Sequence, residues 1–226
     1  MNNPRESDHI LSQFQEELNQ LRLDVLRMAS NAQLNLQHAL TGLLDRDQDR
    51  CSAAIADDEH VDQLEKRIDQ EGIRILSLYN PVAQDLRQVV ASMKISNDLE
   101  RISDEAGNIA RRARLILRNA ELPETHFLEP LYRLSTQLVH EAIHSFAEHD
   151  LEGARAIHAK DDELDEGHNK LVKQLRKRMS DDPDRLKDYL DLMFIVRSLE
   201  RIGDHATNIA EDTIYIESAE DVRHQD

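Results

Sequence analysis

The feature that most constrains the fold of this chain is a twelve-residue segment that occurs twice. Residues 99–110 read LERISDEAGNIA and residues 199–210 read LERIGDHATNIA, which are identical at nine of twelve positions. The similarity extends further, since Ala39 through Cys51 aligns with Ala142 through Ala154 at a shift of 103 residues. Internal repetition over such a long period indicates that one supersecondary unit is used twice.

The apolar residues of the first unit have helical spacing. Leu11, Phe14, Leu18 and Leu21 begin a stripe with alternating steps of three and four residues, which continues to residue 43. A polar cluster follows, in which Asp47 is a good N-cap for a second helix. That helix ends before residues 80–81, an Asn-Pro pair whose proline suits the first position of a third helix.

The third helix carries an apolar seam at residues 95–116 and ends before a second proline at position 123. The pattern then begins again, with helix four at about 128–149, helix five at about 150–179 and helix six after residue 183. We therefore predict an all-α protein made of two tandem three-helix bundles, with six helices and an internal duplication. The predicted domains are residues 1–122 and 123–226.

Composition restricts the function. The chain has 45 acidic residues against 28 Lys and Arg, a formal charge of -17 that opposes nucleic-acid binding and favours cations as partners. The first residues do not resemble a signal peptide, and no apolar run approaches the roughly 20 residues that span a bilayer. Cys51 is the only cysteine, which excludes a disulfide framework. We expect a cytoplasmic protein with no membrane insertion and no nucleic-acid partner.

Packing does not explain every position that the two copies share. Glu100, Asp104 and Asn108 lie four residues apart on the face of the third helix that is turned away from the apolar seam. The second helices add two pairs of aspartates at the same spacing. The predicted metal ligands are Asp58, Asp62, Glu100, Asp104 and Asn108 in the first copy, and Asp161, Asp165, Glu200, Asp204 and Asn208 in the second.

These residue types suit a cation. Like charges four residues apart destabilise a helix by roughly 0.2–0.5 kcal/mol per pair, and a bound cation removes that cost. Carboxylate and amide oxygens favour hard cations and also accept iron, manganese or zinc, so the ligands do not determine the metal. The alternative is that both faces are ordinary solvated helix surfaces, on which Arg101 and Arg201 pair locally with neighbouring acids.

The repeated segments resemble the PhoU family of phosphate-transport regulatory proteins, over about residues 11–216. The likeness rests on the third helix of the first copy, which reads PVAQDLR at 81–87, KI at 94–95 and DLERISDEAGNIA at 98–110. The second copy keeps LERIGD and NIA, but it departs from the pattern at 184–187 and has His168 where the first copy has Glu65.

The resemblance implies both a site and a role. It implies a multinuclear metal cluster on each bundle at the residues named above, with iron or zinc expected and magnesium or manganese possible. It also implies a negative regulator that couples the phosphate ABC transporter, through its ATPase subunit PstB, to the sensor histidine kinase PhoR. We expect no catalysis, a homodimer, and a supporting or partner-binding role for Arg101 and Arg201.

Two other interpretations remain open. His140-Glu141-Ala142-Ile143-His144 fits the H-E-x-x-H pattern of zinc-dependent hydrolases, with Glu163 or Glu166 as a third ligand. The first copy lacks this pattern, having Gln37, His38 and Thr41 at the equivalent positions. A helical-bundle interaction module with no role in phosphate control, with or without metal, is the other alternative.

Overall fold

The computed structural model describes the backbone of residues 4–223 and the side chains of residues 11–223. Within that part of the chain the regular elements are six long α-helices and two short 3₁₀ turns, with no strand. The helices are α1 Pro4–Leu44, α2 Gln48–Tyr79, α3 Ala83–Ile116, α4 Glu129–Glu148, α5 Leu151–Asp181 and α6 Leu186–Ser218. The turns are Pro123–Leu128 and Pro183–Arg185.

Local chemistry sets the ends of the helices in the first bundle. Asp47 caps α2, because its Oδ1 accepts hydrogen bonds from the backbone amides of Asp49 and Arg50 at 3.0 and 3.1 Å. Asn80 ends α2 in the left-handed region, with φ 46°. The expectation that Pro81 begins the third helix was wrong by two residues, since Val82 is extended and α3 begins at Ala83.

The second bundle repeats this layout. Asp150 caps α5 by accepting a hydrogen bond from the amide of Gly153 at 3.0 Å. The two prolines at 123 and 183 begin 3₁₀ turns, so α4 and α6 each begin slightly later than the sequence pattern indicated. A short turn absorbs the change of direction because proline fixes its own φ and restricts the residue before it.

The apolar seams form the core as predicted. Leu99, Ile102, Ala106 and Ile109 are fully buried, and so are their counterparts at 199, 202, 206 and 209. Cys51 is also fully buried, and burial raises the pKa of its thiol to about 11. Leu11 and Leu78 are exceptions to the predicted stripes, because both lie near helix ends and are exposed.

Helices α3 and α6 pack antiparallel against each other and join the two bundles. Polar pairs follow this contact along its length: Lys94 Nζ lies 3.0 Å from Asp212 Oδ1, and Arg112 Nη1 lies 2.9 Å from Asp191 Oδ1. The six helices and the pairing of two equivalent bundles confirm the predicted fold class. In the described part of the chain, no helix is both long enough and apolar enough to cross a membrane.

Candidate metal centre

In the first bundle, the predicted carboxylates of α2 and α3 face one another. Burial raises the pKa of Glu100 to about 7, and the negative charges of Asp104, Glu65 and Asp62 add to this effect against the opposing charge of Arg101. Carboxylates from both helices therefore lie near one another, and we call this cluster of Asp58, Asp62, Glu65, Glu100 and Asp104 between α2 and α3 the first carboxylate groove. The structure therefore brings the predicted acids of this copy together.

Asp104 lies in the same groove. Burial raises its pKa, and the charges of Asp58 and Asp62 raise it further, while Arg101 and Arg111 lower it. The carboxylate of Asp58 is held in place, because its Oδ1 accepts a hydrogen bond from the hydroxyl of Ser103 at 2.7 Å. Asp58 is thus held by a neutral donor, whereas burial, with the neighbouring negative charges, disfavours the ionised forms of Glu100 and Asp104.

Glu100 is the most constrained of these acids. Only 16% of its side chain is exposed, and its buried Oε2 accepts no hydrogen bond, although Arg101 Nε lies 3.3 Å away. The sequence indicated a ridge turned away from the core on open surface. Instead, Glu100 is half-buried in the groove between α2 and α3, because α2 packs alongside that face of α3.

The second bundle has an equivalent groove between α5 and α6. Burial raises the pKa of Asp161 to about 6, with Asp204 and Asp165 contributing and the hydroxyl of Thr207 opposing the rise. Burial likewise raises the pKa of Asp204 and of Glu200. His168 lowers the pKa of both Glu200 and Asp204. The predicted acids of the second copy therefore also face one another.

The second groove differs from the first in one detail. Gly203 replaces Ser103, and a Cβ on Gly203 would collide with Cδ2 of Leu164 and lie 3.0 Å from Oδ1 of Asp161. The glycine thus allows α5 and α6 to approach closely. Oδ1 of Asp161 is buried and accepts no hydrogen bond, and the hydroxyl near this carboxyl is that of Thr207 on α6, which lowers its pKa. In the first groove, Oδ1 of Asp58 accepts from the hydroxyl of Ser103.

Asn108 and Asn208 do not bond to these acids. The amide of Asn108 donates to Glu105 Oε2 at 3.4 Å, and the amide of Asn208 donates to Asp98 Oδ1 at 3.0 Å. Glu105 and Asp98 both take part in the contact between α3 and α6. The two asparagines therefore lie at the edge of the bundle interface rather than within the carboxylate grooves.

The two arginines also have different surroundings. Arg101 pairs locally, with its Nη1 3.5 Å from Asp104 Oδ2 and its Nε near Glu100. Arg201 instead crosses to the first bundle and pairs with Glu105, which is almost completely buried. Arg101 thus partly neutralises its own groove, while Arg201 connects the two bundles.

The donor set of each groove fits a hard cation. Glu100 and Asp161 each have a buried oxygen without a hydrogen-bond donor, and burial raises the pKa of both carboxyls, so a bound cation would stabilise their ionised forms. Among the described residues, no three His, Cys, Asp or Glu side chains are arranged to hold a metal ion as they stand. Side-chain rotation would have to bring the facing carboxylates onto one ion.

The zinc-hydrolase pattern has no such support. His140 and His144 are exposed, with their rings stacked 6.4 Å apart, and Glu141 forms an ion pair with Lys160 of α5. Burial raises the pKa of Glu141, but hydrogen bonds from Lys160 and Gln137 outweigh it and lower that pKa overall. No third ligand joins these histidines in the described part of the chain.

Two residues of the grooves were not among the predicted ligands. Glu65 adds charge beside Glu100, and His168 occupies the equivalent place beside Glu200. Their spacing could have revealed them, because each lies one helical turn after a predicted aspartate, at Asp62 and Asp165.

The fold and the grooves define a class: a duplicated three-helix bundle in which each copy carries a half-buried carboxylate groove. Residues 25–113 and 128–213 each match the PhoU domain. The chain therefore belongs to the PhoU family.

Full-length relatives agree with this assignment. The chain is 35% identical over 212 residues to the phosphate-specific transport system accessory protein PhoU homolog of Xylella fastidiosa strain Temecula1, covering 94% of this chain and 88% of that protein. It is 34% identical over 216 residues to the Escherichia coli K12 accessory protein PhoU, covering 96% and 90%. The crystal structure of PhoU from Pseudomonas aeruginosa superposes with a TM-score of 0.89 at 33% identity, covering 92% and 100%.

Proposed function

We propose that this protein is a negative regulator of phosphate uptake and of the phosphate-starvation genes, and that it acts in the cytoplasm as a metal-binding adaptor between the phosphate ABC transporter and its sensor kinase. The observation that carries this proposal is similarity over nearly the whole chain to accessory proteins of phosphate-specific transport systems. The proposed partners are the transporter ATPase PstB and the kinase PhoR.

The carboxylate grooves support the metal-binding part of the proposal. Crowded carboxylates whose oxygens lack donors cost free energy when they are ionised, and a divalent or trivalent cation offsets that cost. Asp58, Asp62, Glu100 and Asp104 would hold metal in the first bundle, with Glu65 beside them. Asp161, Asp165, Glu200 and Asp204 would do so in the second, where His168 adds a nitrogen donor that suits iron or zinc.

An exposed apolar stripe supports the adaptor part. Leu186, Leu190 and Phe194 follow one another every four residues on α6, and they are 45%, 45% and 48% exposed. A helix face with this spacing is suited to pack against another protein, either a regulatory partner or a second copy of the chain in a homodimer. The position of this stripe beside the bundle contact would let a bound partner influence how α3 and α6 pack.

Deletion of the gene tests the proposal. A deletion strain should express a phosphate-starvation reporter in high phosphate, and the wild-type gene should restore repression. Co-purification of the protein with PstB and PhoR should detect at least one of the two contacts, and Leu190→Arg should weaken it, while Leu78→Arg on the first bundle should not. Normal repression in the deletion strain together with no contact to either protein would leave the alternative, a helical interaction module without a role in phosphate control.

A further inference from the structure

The contact between α3 and α6 contains two clefts that the duplication relates to each other. The first cleft, of about 370 Å³, is lined by Glu105, Asn108 and Arg112 of α3 and by Phe194, Arg197, Ser198 and Arg201 of α6. The second is larger, and part of its lining is Lys94, Asn97, Asp98, Asn208 and Asp212. These five positions correspond to Phe194, Arg197, Ser198, Asn108 and Arg112 at a shift of 100 residues.

The charge of the two clefts is opposite although their backbone positions are equivalent. Arg112 and Arg197 in the first cleft stand where the second has Asp212 and Asn97, and Ser198 stands where the second has Asp98. The first cleft therefore concentrates arginine in a chain with a formal charge of -17. Helix packing alone does not require this difference, because both clefts belong to the same antiparallel contact.

Two of the arginines are held rigidly. Arg201 pairs with Glu105, and Arg112 pairs with Asp191 at 2.9 Å and lies over the ring of Phe194 at 4.3 Å. Both carboxylates are nearly buried, with 5% of each side chain exposed. A guanidinium has five N–H donors, so each arginine keeps donors for a ligand after it has bound its carboxylate.

Arg197 has no such partner. It lies one turn before Arg201 and forms no hydrogen bond or ion pair in the described part of the chain, although its charge lowers the pKa of Glu200. The hydroxyl of Ser198 and the amide of Asn108 lie in the same cleft. Glu105 and Asp191 each form an ion pair with one arginine. The third arginine, Arg197, therefore gives the cleft a net positive charge.

We propose that this cleft binds a tetrahedral oxyanion of the phosphate type, either as free inorganic phosphate or as the phosphoryl group of a phosphorylated protein. Arginine forks match phosphate oxygens in geometry and charge, and preorganised arginines lose little freedom on binding. The cleft has room for such an anion with several waters, which each take about 30 Å³. The cleft lies at the contact of α3 with α6, whereas the carboxylate grooves lie between α2 and α3 and between α5 and α6, and Arg197 is close enough to Glu200 to influence both places. Only the choice of phosphate over other oxyanions rests on the proposed function.

Calorimetry on the full-length protein tests this site with two probes, inorganic phosphate and a phosphoserine peptide. Wild-type protein should bind at least one probe, with competition by sulfate. Arg197→Gln should weaken binding about tenfold or more, because it removes one charge-assisted contact. Asn108→Ala is a second variant that should also weaken it. The matched control is Arg176→Gln on α5, which removes an exposed arginine outside the cleft and should leave the affinity unchanged.

The outcomes separate the possibilities. Phosphate binding supports a free anion as ligand, and binding of the peptide alone supports a phosphorylated partner. Absence of binding by both probes overturns the proposal, as does binding that Arg197→Gln leaves unchanged. Each titration is repeated after the metal has been removed with a chelator. If removal of the metal abolished anion binding, the anion would bind at the carboxylate grooves, and the proposed cleft would be rejected. If the deletion strain loses repression but the purified protein binds neither probe, the proposed function stands and the anion site is rejected.

Discussion

The hydroxyl of Ser103 on α3 donates a hydrogen bond to Oδ1 of Asp58 on α2 at 2.7 Å. The same hydroxyl accepts a hydrogen bond from the amide of Asn35 on α1 at 2.9 Å, so one polar chain links all three helices of the first bundle. The corresponding positions in the second bundle are Leu138, Gly203 and Asp161, which cannot form this chain. The duplicated bundles therefore position equivalent aspartates by different means.

Ser103→Ala should destabilise the protein. The substitution leaves the Asn35 amide and Asp58 Oδ1 without their partner in a buried place, and unpaired buried polar groups cost about 1–3 kcal/mol each. Urea unfolding monitored by circular dichroism would measure the change. Ser30→Ala is the control, because Ser30 is exposed and bonds only to the backbone of its own helix. Equal midpoints for both variants would show that the polar chain contributes no stability.

Gly203→Ala should destabilise the second bundle. The added Cβ would collide with Leu164 and crowd Asp161, and overpacking of this kind costs about 1–3 kcal/mol. Gly167→Ala on α5 is the matched control, since its Cβ would meet only Leu131 Cδ1 at 3.2 Å and alanine favours a helix by about 1 kcal/mol over glycine. Thermal unfolding should show a clearly larger loss for Gly203→Ala than for Gly167→Ala, and a stabilised Gly203→Ala variant would contradict the close approach of α5 and α6.

Much of the fold could be predicted from the sequence because its signals are local or repeated. The steps of three and four residues identified every long helix, and Asp47 marked a cap that the structure confirms. The duplicated segment indicated two equivalent bundles. The helix starts near Pro81 and Pro183 were less exact, because the turn after a proline depends on where the following helix has to pack.

The grooves were harder to predict than the fold. Spacing placed Asp58 and Asp62 on one helical face and Glu100 and Asp104 on another, but it could not show that these faces meet or that Glu100 is half-buried. The contact between α3 and α6 left no periodic signal of its own, so Asn108 was grouped with the acids although it bonds to Glu105. Long-range packing decides such positions.

Asp104→Ala and Asp204→Ala should each remove metal from their own bundle and spare the other. Each groove is built by two helices of one bundle, so losing one carboxylate affects the ions held there. Elemental analysis of protein purified without a metal-affinity tag would measure metal per chain. Asp162→Ala is the control, because Asp162 is exposed and follows Asp161 directly in sequence. Full metal content in both variants would reject the ligand assignment.

Metal-free protein should lose stability as the pH rises. In the folded state burial and crowding raise the pKa of Glu100 from 4.5 to about 7 and that of Asp161 from 3.8 to about 6. The stability that these carboxyls contribute is complete below their ordinary pKa values and is lost as the pH rises through the folded ones. Metal affinity should rise over the same range, because ions compete with protons for these oxygens.

Thermal unfolding of chelated protein between about pH 5 and about pH 8 would measure this loss. Glu100→Gln should flatten the slope near neutral pH, since glutamine does not ionise. Glu59→Gln is the control, because Glu59 is exposed on α2. The overall negative charge also destabilises the folded chain at higher pH. Comparing Glu100→Gln with Glu59→Gln separates the contribution of the Glu100 carboxyl from this general effect. An unchanged slope for Glu100→Gln would show that Glu100 ionises normally.

The duplication offers a test of how the two bundles are joined. Arg101 and Arg201 occupy the same position in their repeats, yet Arg101 pairs with exposed or half-buried acids on its own helix and Arg201 pairs with buried Glu105 on the other bundle. Arg201→Ala leaves the Glu105 carboxylate buried without its cation, which should cost about 1–3 kcal/mol. Arg101→Ala should cost less than about 1 kcal/mol, because exposed pairs contribute little.

Urea unfolding would rank the two arginine variants. If the cost of Arg201→Ala comes from the unpaired charge, adding Glu105→Gln should recover part of the lost stability, because a neutral amide is less costly to bury than a carboxylate. Glu105→Gln combined with Arg101→Ala should recover nothing, since Arg101 does not pair with Glu105 and Arg201 then loses its carboxylate partner. Equal costs for the two single variants, or no recovery in the first double variant, would show that Arg201 does not hold the bundles together through Glu105.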